Sequence, residues 1–189
     1  MTDTTHAIAR LIIADSEHDA DMLYVSGIFV PDAFIAIEIK GQWHGLFSPL
    51  EVDRARKHSK FSQIWLDAPF RLTADNCNRS GLAAVAAAFL EEHAVNTLEV
   101  PPHFPFAYAE QLKSWGFNVT ASDGAFFPER AVKTEAEIKH LAHAEKLTRR
   151  LMMQAERYLA ACSIGDDSIL RDGETGKKVK AVDVRRAIE

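Results

Sequence analysis

The sequence predicts an α/β fold: a mixed β-sheet flanked by helices, followed by a long amphipathic helix. Three observations carry that prediction. Short β-branched apolar runs alternate with helical-period segments as far as Arg130. Two of those runs are separated by a tight turn. A capped helical stripe then extends from Thr134 to about Cys162.

The elements follow in order. Ile8 to Ala14 is apolar and β-branched and reads as a strand that ends at Asp15 and Ser16. Ala20 to Ser26 reads as a short helix with Gly27 just beyond its end. Ala33 to Ile39 and Trp43 to Phe47 flank Lys40-Gly41-Gln42, the pattern of a β-hairpin. Ser48-Pro49-Leu50-Glu51 has the spacing of a capping box with proline at the first helical position, so a helix is expected from Pro49 to about His58. Phe61 to Leu66 reads as a strand and the polar stretch Leu72 to Arg79 as a loop. Gly81 to His93 is alanine-rich, with Leu82, Val85, Ala86, Phe89 and Leu90 at helical spacing. A brief strand at Leu98 to Val100 closes on Pro101 and Pro102. Phe106 to Trp115 is a helix that Gly116 ends, and Phe117 to Thr120 and Ala125 to Phe127 read as two further strands.

The hairpin supplies antiparallel pairing and the later crossovers supply parallel pairing. The first domain is therefore placed at residues 1–130. Residues 131–189 begin with a second capping box, Thr134-Glu135-Ala136-Glu137. The following stripe holds Ile138, Leu141, Ala144, Leu147, Leu151, Ala155, Tyr158, Leu159 and Cys162, and it needs a partner surface. Gly165-Asp166-Asp167 ends that helix, Asp172 to Gly176 reads as a flexible turn, and Val182 to Glu189 starts another helix.

Composition excludes several classes. The chain has 189 residues and a net charge of −5, which argues against nucleic acid and anionic membranes as partners. No apolar run reaches the ~18 residues of a membrane span. Met1-Thr2-Asp3-Thr4-Thr5 lacks the basic and apolar regions of a signal peptide. Two distant cysteines, Cys77 and Cys162, fit a reducing, cytoplasmic setting.

Candidate chemistry is sparse. His140 and His143 share a helix face, but no carboxylate follows at the spacing of a zinc motif, so they read as solvated surface. The other histidines are scattered. Cys77-Asn78-Arg79 is not a nucleophile signature, and both thiols read as inert. Glycine-rich nucleotide loops and the Gly-x-Ser-x-Gly elbow are missing. Lys177, Lys178 and Lys180 are balanced by Asp172, Glu174 and Asp183 and read as a solvated turn. The aromatic cluster Phe104-Pro105-Phe106-Ala107-Tyr108 reads as the packed start of a helix rather than a peptide groove. Ile28-Phe29-Val30-Pro31-Asp32 is an apolar loop, either core-facing or an exposed contact patch, and pattern alone leaves both open. No self-contained catalytic set is visible, and no metal ligands are assigned.

Three segments in order resemble a known family. Ala20-Asp21-Met22-Leu23-Tyr24-Val25-Ser26-Gly27-Ile28-Phe29 is similar to the N-x-x-Y-L-T-G-F stretch of the creatinase/prolidase N-terminal domain. Phe47-Ser48-Pro49-Leu50-Glu51-Val52-Asp53-Arg54-Ala55-Arg56 resembles its x-S-x-x-E-x-x-R-A helix. Arg130-Ala131-Val132-Lys133-Thr134-Glu135-Ala136-Glu137-Ile138 resembles the linker R-x-x-K-S-x-x-E-I. The departures are Ile28 for Phe, Val25 for Leu and Thr134 for Ser. Together the three segments span most of the chain.

The resemblance implies a ribonuclease H-like sheet and a place in a metallopeptidase. In Xaa-Pro aminopeptidases, prolidases and creatinases this domain precedes a pita-bread catalytic domain. That domain binds two divalent metal ions (manganese, cobalt or zinc) through two aspartates, a histidine and two glutamates, and the metals activate water. The matching sequence would lie beyond Glu189, so residues 131–189 are expected to be the linker helix and the start of a truncated catalytic domain. The chain itself is expected to hold no catalytic residue and no cofactor.

The expected role is substrate capping and oligomerisation in a proline-specific metalloexopeptidase. The partners are its own catalytic domain, a second subunit in a homodimer or tetramer, and a peptide substrate. Phe29, Pro31 and Asp32 are the expected subunit or substrate contact. The competing reading is a stand-alone, non-enzymatic binding or dimerisation module on the same fold. A small hydrolase in its own right is disfavoured by the missing nucleophile–base and metal sets.

Overall fold

β1 (Ile8–Ala14) runs through the interior of a six-stranded sheet because its residues are apolar on both faces. Leu11, Ile12 and Ile13 are all buried. In this computed structural model, residues 8–189 are described. The segment Met1-Thr2-Asp3-Thr4-Thr5, read above for a leader, lies outside them. The chain divides into two units, one ending at Arg130 and the other spanning Ala131–Glu189.

β2 (Phe34–Ile39) and β3 (Gln42–Phe47) form the expected hairpin. β4 (Gln63–Leu66), β5 (Thr97–Val100) and β6 (Asn118–Ala121) complete the sheet in the order β4-β3-β2-β1-β5-β6. β2 pairs antiparallel with both neighbours, and the β3–β4, β1–β5 and β5–β6 pairs are parallel. The sheet is mixed, as the sequence predicts.

Alternation sorts the side chains into two cores. Ala9, Leu11, Ile13, Ile35, Ile37 and Leu46 face α3 (Ala68–Asn76), α4 (Leu82–Glu92) and α5 (Phe106–Ser114). Ile12, Phe34, Ala36 and Phe47 face α1 (Ala20–Ser26), α2 (Val52–His58) and the pair Phe126 and Phe127. Gly27 ends α1 in the left-handed conformation at φ 67°, and its N–H donates to the Leu23 carbonyl at 2.9 Å.

Several local expectations change. Leu72 to Arg79 is not a loop throughout, since α3 extends to Asn76. Only Phe70 and Ala74 of α3 are buried, so its apolar stripe is too thin to register as a period. The Ser48 capping box does not form, and the helix starts at Val52, not Pro49. Glu51 turns instead to Arg54, whose Nε donates to it at 2.7 Å. Ala125 to Phe127 is not a strand. Its two rings pack at 5.2 Å from one another and close the second core.

Those rings cover Arg10, the one charged residue of β1. Arg10 lies opposite Glu38 in β2 and Glu99 in β5. Its guanidinium reaches Glu38 at 3.3 Å, donates to the Phe126 carbonyl, and sits 4.1 Å from the Phe126 ring centroid. Its Nε is 3.3 Å from Glu99 without hydrogen-bond alignment.

In the second unit α6 (Glu135–Ala160) begins with the predicted capping box. The Thr134 N–H donates to Glu137 Oε2 at 2.8 Å, and the Glu137 N–H donates to Thr134 Oγ1 at 3.3 Å. α6 packs directly on α7 (Ala181–Ile188), and the chain between them forms a strand pair, β7 (Ser163–Ile164) and β8 (Leu170–Arg171), that the sequence did not signal. Leu151, Ala155 and Tyr158 are half-buried, whereas Ile138, Leu141 and Leu147 are exposed. Among the described residues, no helix is long and apolar enough to cross a membrane.

Gly45 offers a test of the second core. A Cβ there would lie 2.6 Å from ring atoms of Phe47 and Phe61. Gly45→Ala is expected to destabilise the fold by about 1–3 kcal/mol. In urea unfolding the midpoint should fall with the slope unchanged.

Candidate functional site

The loop from Gly27 to Ala33 is held by one buried hydroxyl. Ser16 lies two residues past the end of β1, and its Oγ donates to the Ile28 carbonyl at 2.7 Å and accepts from the Val30 N–H at 2.7 Å. The Ser16 N–H donates to the Val30 carbonyl at 3.0 Å. Ser26 Oγ donates to the Ile28 carbonyl as well, at 3.2 Å. The loop thus obtains sheet-like partners without joining the sheet.

Its side chains alternate. Ile28 and Val30 are 7% and 1% exposed, while Phe29 is 54% exposed. Pro31 and Asp32 are also exposed. The two readings left open by the sequence are therefore both realised, at successive positions. The structure brings Phe29, Pro31 and Asp32 onto one short outward-facing segment.

Asp32 edges a cavity of about 210 Å³. Phe34, Leu46 and Phe47 form apolar walls, and Glu51, Asp67 and Arg71 supply charge. Arg71 Nη2 donates to Asp67 at 2.7 Å, and Arg54 holds Glu51. Among the described residues Asp32 has no hydrogen bond or ion pair. Chemically, the segment offers an aromatic face and a free carboxylate on a tethered backbone. Among the described residues no serine or cysteine hydroxyl or thiol is hydrogen-bonded to a histidine.

A second group lies at the start of α1. Ligand atoms of Asp19, Asp21 and His103 lie within 4.8 Å of one another. Each is already engaged. Asp19 Oδ1 accepts from the Met22 N–H at 2.8 Å as the N-cap, and Oδ2 lies 2.8 Å from His103 Nε2. Asp21 is buried and paired with Arg130. A cation would have to displace Arg130, so these residues read as a tie between α1, the turn after β5 and the end of the first unit. Nearby, the His18 N–H donates to Asp15 Oδ1 at 2.7 Å and holds the Asp15 carboxyl below its usual range.

The remaining candidates stay apart. His140 and His143 are exposed on α6. Cys77 is exposed at the end of α3, and Cys162 Sγ donates to the Tyr158 carbonyl at 3.2 Å. Phe104 and Tyr108 pack edge to face at 6.2 Å against the first core, as expected for a helix start, but Phe106 is exposed. Sequence reasoning missed Ser16. Its only signal was a small hydroxyl two residues after an apolar strand.

No protein-family model matches the chain, and no curated protein matches it. Solved structures do. An X-Pro aminopeptidase from Thermotoga maritima is similar over 97% of this chain and 45% of its own, at 13% identity and TM-score 0.66. A Xaa-Pro dipeptidase from Bacillus anthracis is similar over 97% and 43%, at 16% identity and TM-score 0.64. A prolidase from Pyrococcus furiosus is similar over 98% and 45%, at 14% identity and TM-score 0.58. At such identities the likeness shows the fold. The chain spans less than half the length of these proteins.

Ser16→Ala is expected to leave the Val30 N–H without its partner and to cost about 1–3 kcal/mol. Hydrogen exchange at Ile28 and Val30 should speed up more than exchange at the β2 amides.

Proposed function

We propose that this chain is the front part of a proline-specific metalloexopeptidase, a hydrolase of the Xaa-Pro aminopeptidase or prolidase kind. Residues up to Arg130 act as its substrate-capping and oligomerisation domain. Ala131–Glu189 act as the linker helix and the first elements of the catalytic domain. The observation that supports this reading is a likeness to an X-Pro aminopeptidase that runs through 97% of this chain yet uses 45% of the other.

The two divalent metal ions of such an enzyme (manganese, cobalt or zinc) are assigned to sequence outside this chain. Asp19, Asp21 and His103 do not fit them, because a capping bond, an imidazole and Arg130 already occupy the carboxylates. What this chain contributes is a surface: Phe29 and Pro31 bury against a neighbouring subunit or a bound peptide, and Asp32 meets a positive group there. In this reading the enzyme is a cytoplasmic dimer or tetramer.

Phe29→Ala in the complete enzyme is expected to weaken subunit association or raise KM by roughly tenfold, the scale of an aromatic contact in an interface. Sedimentation and Xaa-Pro peptide kinetics measure the two. Unchanged oligomer mass together with unchanged kinetics would remove Phe29 from the contact. The present chain alone is expected not to hydrolyse Xaa-Pro peptides, with or without added manganese, and turnover by it would overturn the assignment. The native protein in its source cell is expected to have about twice the 21.1 kDa of this chain. A native mass near that of the chain would favour a stand-alone binding module.

A further inference from the structure

Two of the scattered histidines meet where α4 lies on the sheet. His44 of β3 is 8% exposed, and His93 caps the end of α4. Their ring centroids are 5.9 Å apart. Trp65 of β4 stacks near His44 at 6.3 Å, and Phe89 of α4 stacks on His93 at 4.1 Å.

Hydrogen-bond chemistry fixes the protons. Trp65 Nε1 lies 3.2 Å from His44 Nδ1, and an indole nitrogen can only donate. His44 Nδ1 is therefore the acceptor, and the neutral ring carries its proton on Nε2. His93 Nδ1 lies 2.8 Å from the Phe89 carbonyl, which can only accept, so that Nδ1 carries a proton. The two imidazoles are bonded in opposite senses, His44 Nδ1 as acceptor and His93 Nδ1 as donor. His44 can gain a proton only on Nδ1, where the new N–H would face the Trp65 N–H.

We infer that His44, Trp65 and His93 form an acid-sensitive latch beneath α4, in which the Trp65–His44 bond between β4 and β3 is released when His44 takes a proton on Nδ1. Protonation exchanges a hydrogen bond for two opposed donors and places a cation in an apolar interface. Few groups can offset that charge. Ile37 of β2 and Gln63 of β4 flank His44 in the sheet, and neither is charged. α3 contributes Phe70 behind Trp65 and Phe89. Among the described residues the titratable group that acts on His44 is His93, whose imidazole has the same sign when protonated. Burial and then His93 hold the His44 pKa below its ordinary 6.5. The unfolded chain therefore binds this proton first. The stability tied to His44 is fully present above pH 6.5 and is lost as pH falls below it.

The test is a pH titration of the full chain, following the three tryptophan indole N–H resonances from about pH 8 to about pH 5 across the histidine range. The Trp65 resonance is expected to shift with a midpoint below 6.5 before those of Trp43 and Trp115 move. His44→Gln can still accept from Trp65 but cannot titrate, so it should abolish the shift. His93→Gln removes the like charge and should raise the midpoint, which keeps the test open if His44→Gln fails to fold. The latch is overturned by a Trp65 resonance that stays fixed while the protein remains folded. It is also overturned by a shift that persists in His44→Gln, by a midpoint that His93→Gln leaves unmoved, or by all three indoles moving together.

Discussion

Burial of the β1–β2 pair on both faces is the constraint from which the first unit follows. A strand covered on one side alternates apolar and polar residues, but here Leu11, Ile12 and Ile13 are consecutive and all lie inside. Such a strand must be covered twice, so the chain needs helices on both sides of the sheet. The arrangement has room for one charge only where every polar group finds a partner. Arg10 comes close to that condition with Glu38 and the Phe126 carbonyl as hydrogen-bond partners, while its Nε has only the charge of Glu99 at 3.3 Å. The aromatic cover also fixes where the chain leaves the unit. Phe126 and Phe127 sit over the guanidinium, and a few residues later Arg130 pairs with Asp21 of α1.

The outward-facing loop inherits its order from the same strand. A connecting segment that crosses the top of a sheet would leave buried N–H and C=O groups without partners. Ser16 satisfies two of them with one hydroxyl and a third with its own amide. Ile28 and Val30 can then sink into the second core, which turns Phe29 outward. An exposed aromatic ring on a tethered backbone loses little conformational freedom when it is covered, which suits a contact residue. The adjacent carboxylates differ in the same useful way: Glu51 and Asp67 are neutralised by arginines of their own helices, and Asp32 is not.

The second unit is built on different physics. α6 is set by its cap and by helix propensity more than by burial, since none of its residues is buried even though it packs on α7. Glu135 and Glu137 in the first turn and Arg157 in the last complement the helix dipole. Thr175 supplies the equivalent order in the turn before α7, where its hydroxyl and amide hydrogen-bond Asp172 and hold that carboxyl below its usual range.

Several features follow from local chemistry alone. The element order, the hairpin at Lys40-Gly41, the end of α1 at Gly27 and the start of α6 at Thr134 all depend on residues within a turn or two of one another. Even the loop from Gly27 to Ala33 was legible as an apolar segment, though not which of its residues would face out. Tertiary structure decided the rest, because those features join positions that no period connects. α3 exists through two buried residues, and the Ser48 box lost its glutamate to Arg54. Arg10 acquired meaning only when strand register set it between Glu38 and Glu99. His44 and His93 became a pair only when α4 lay across β3, since proximity between distant residues is a property of packing rather than of spacing.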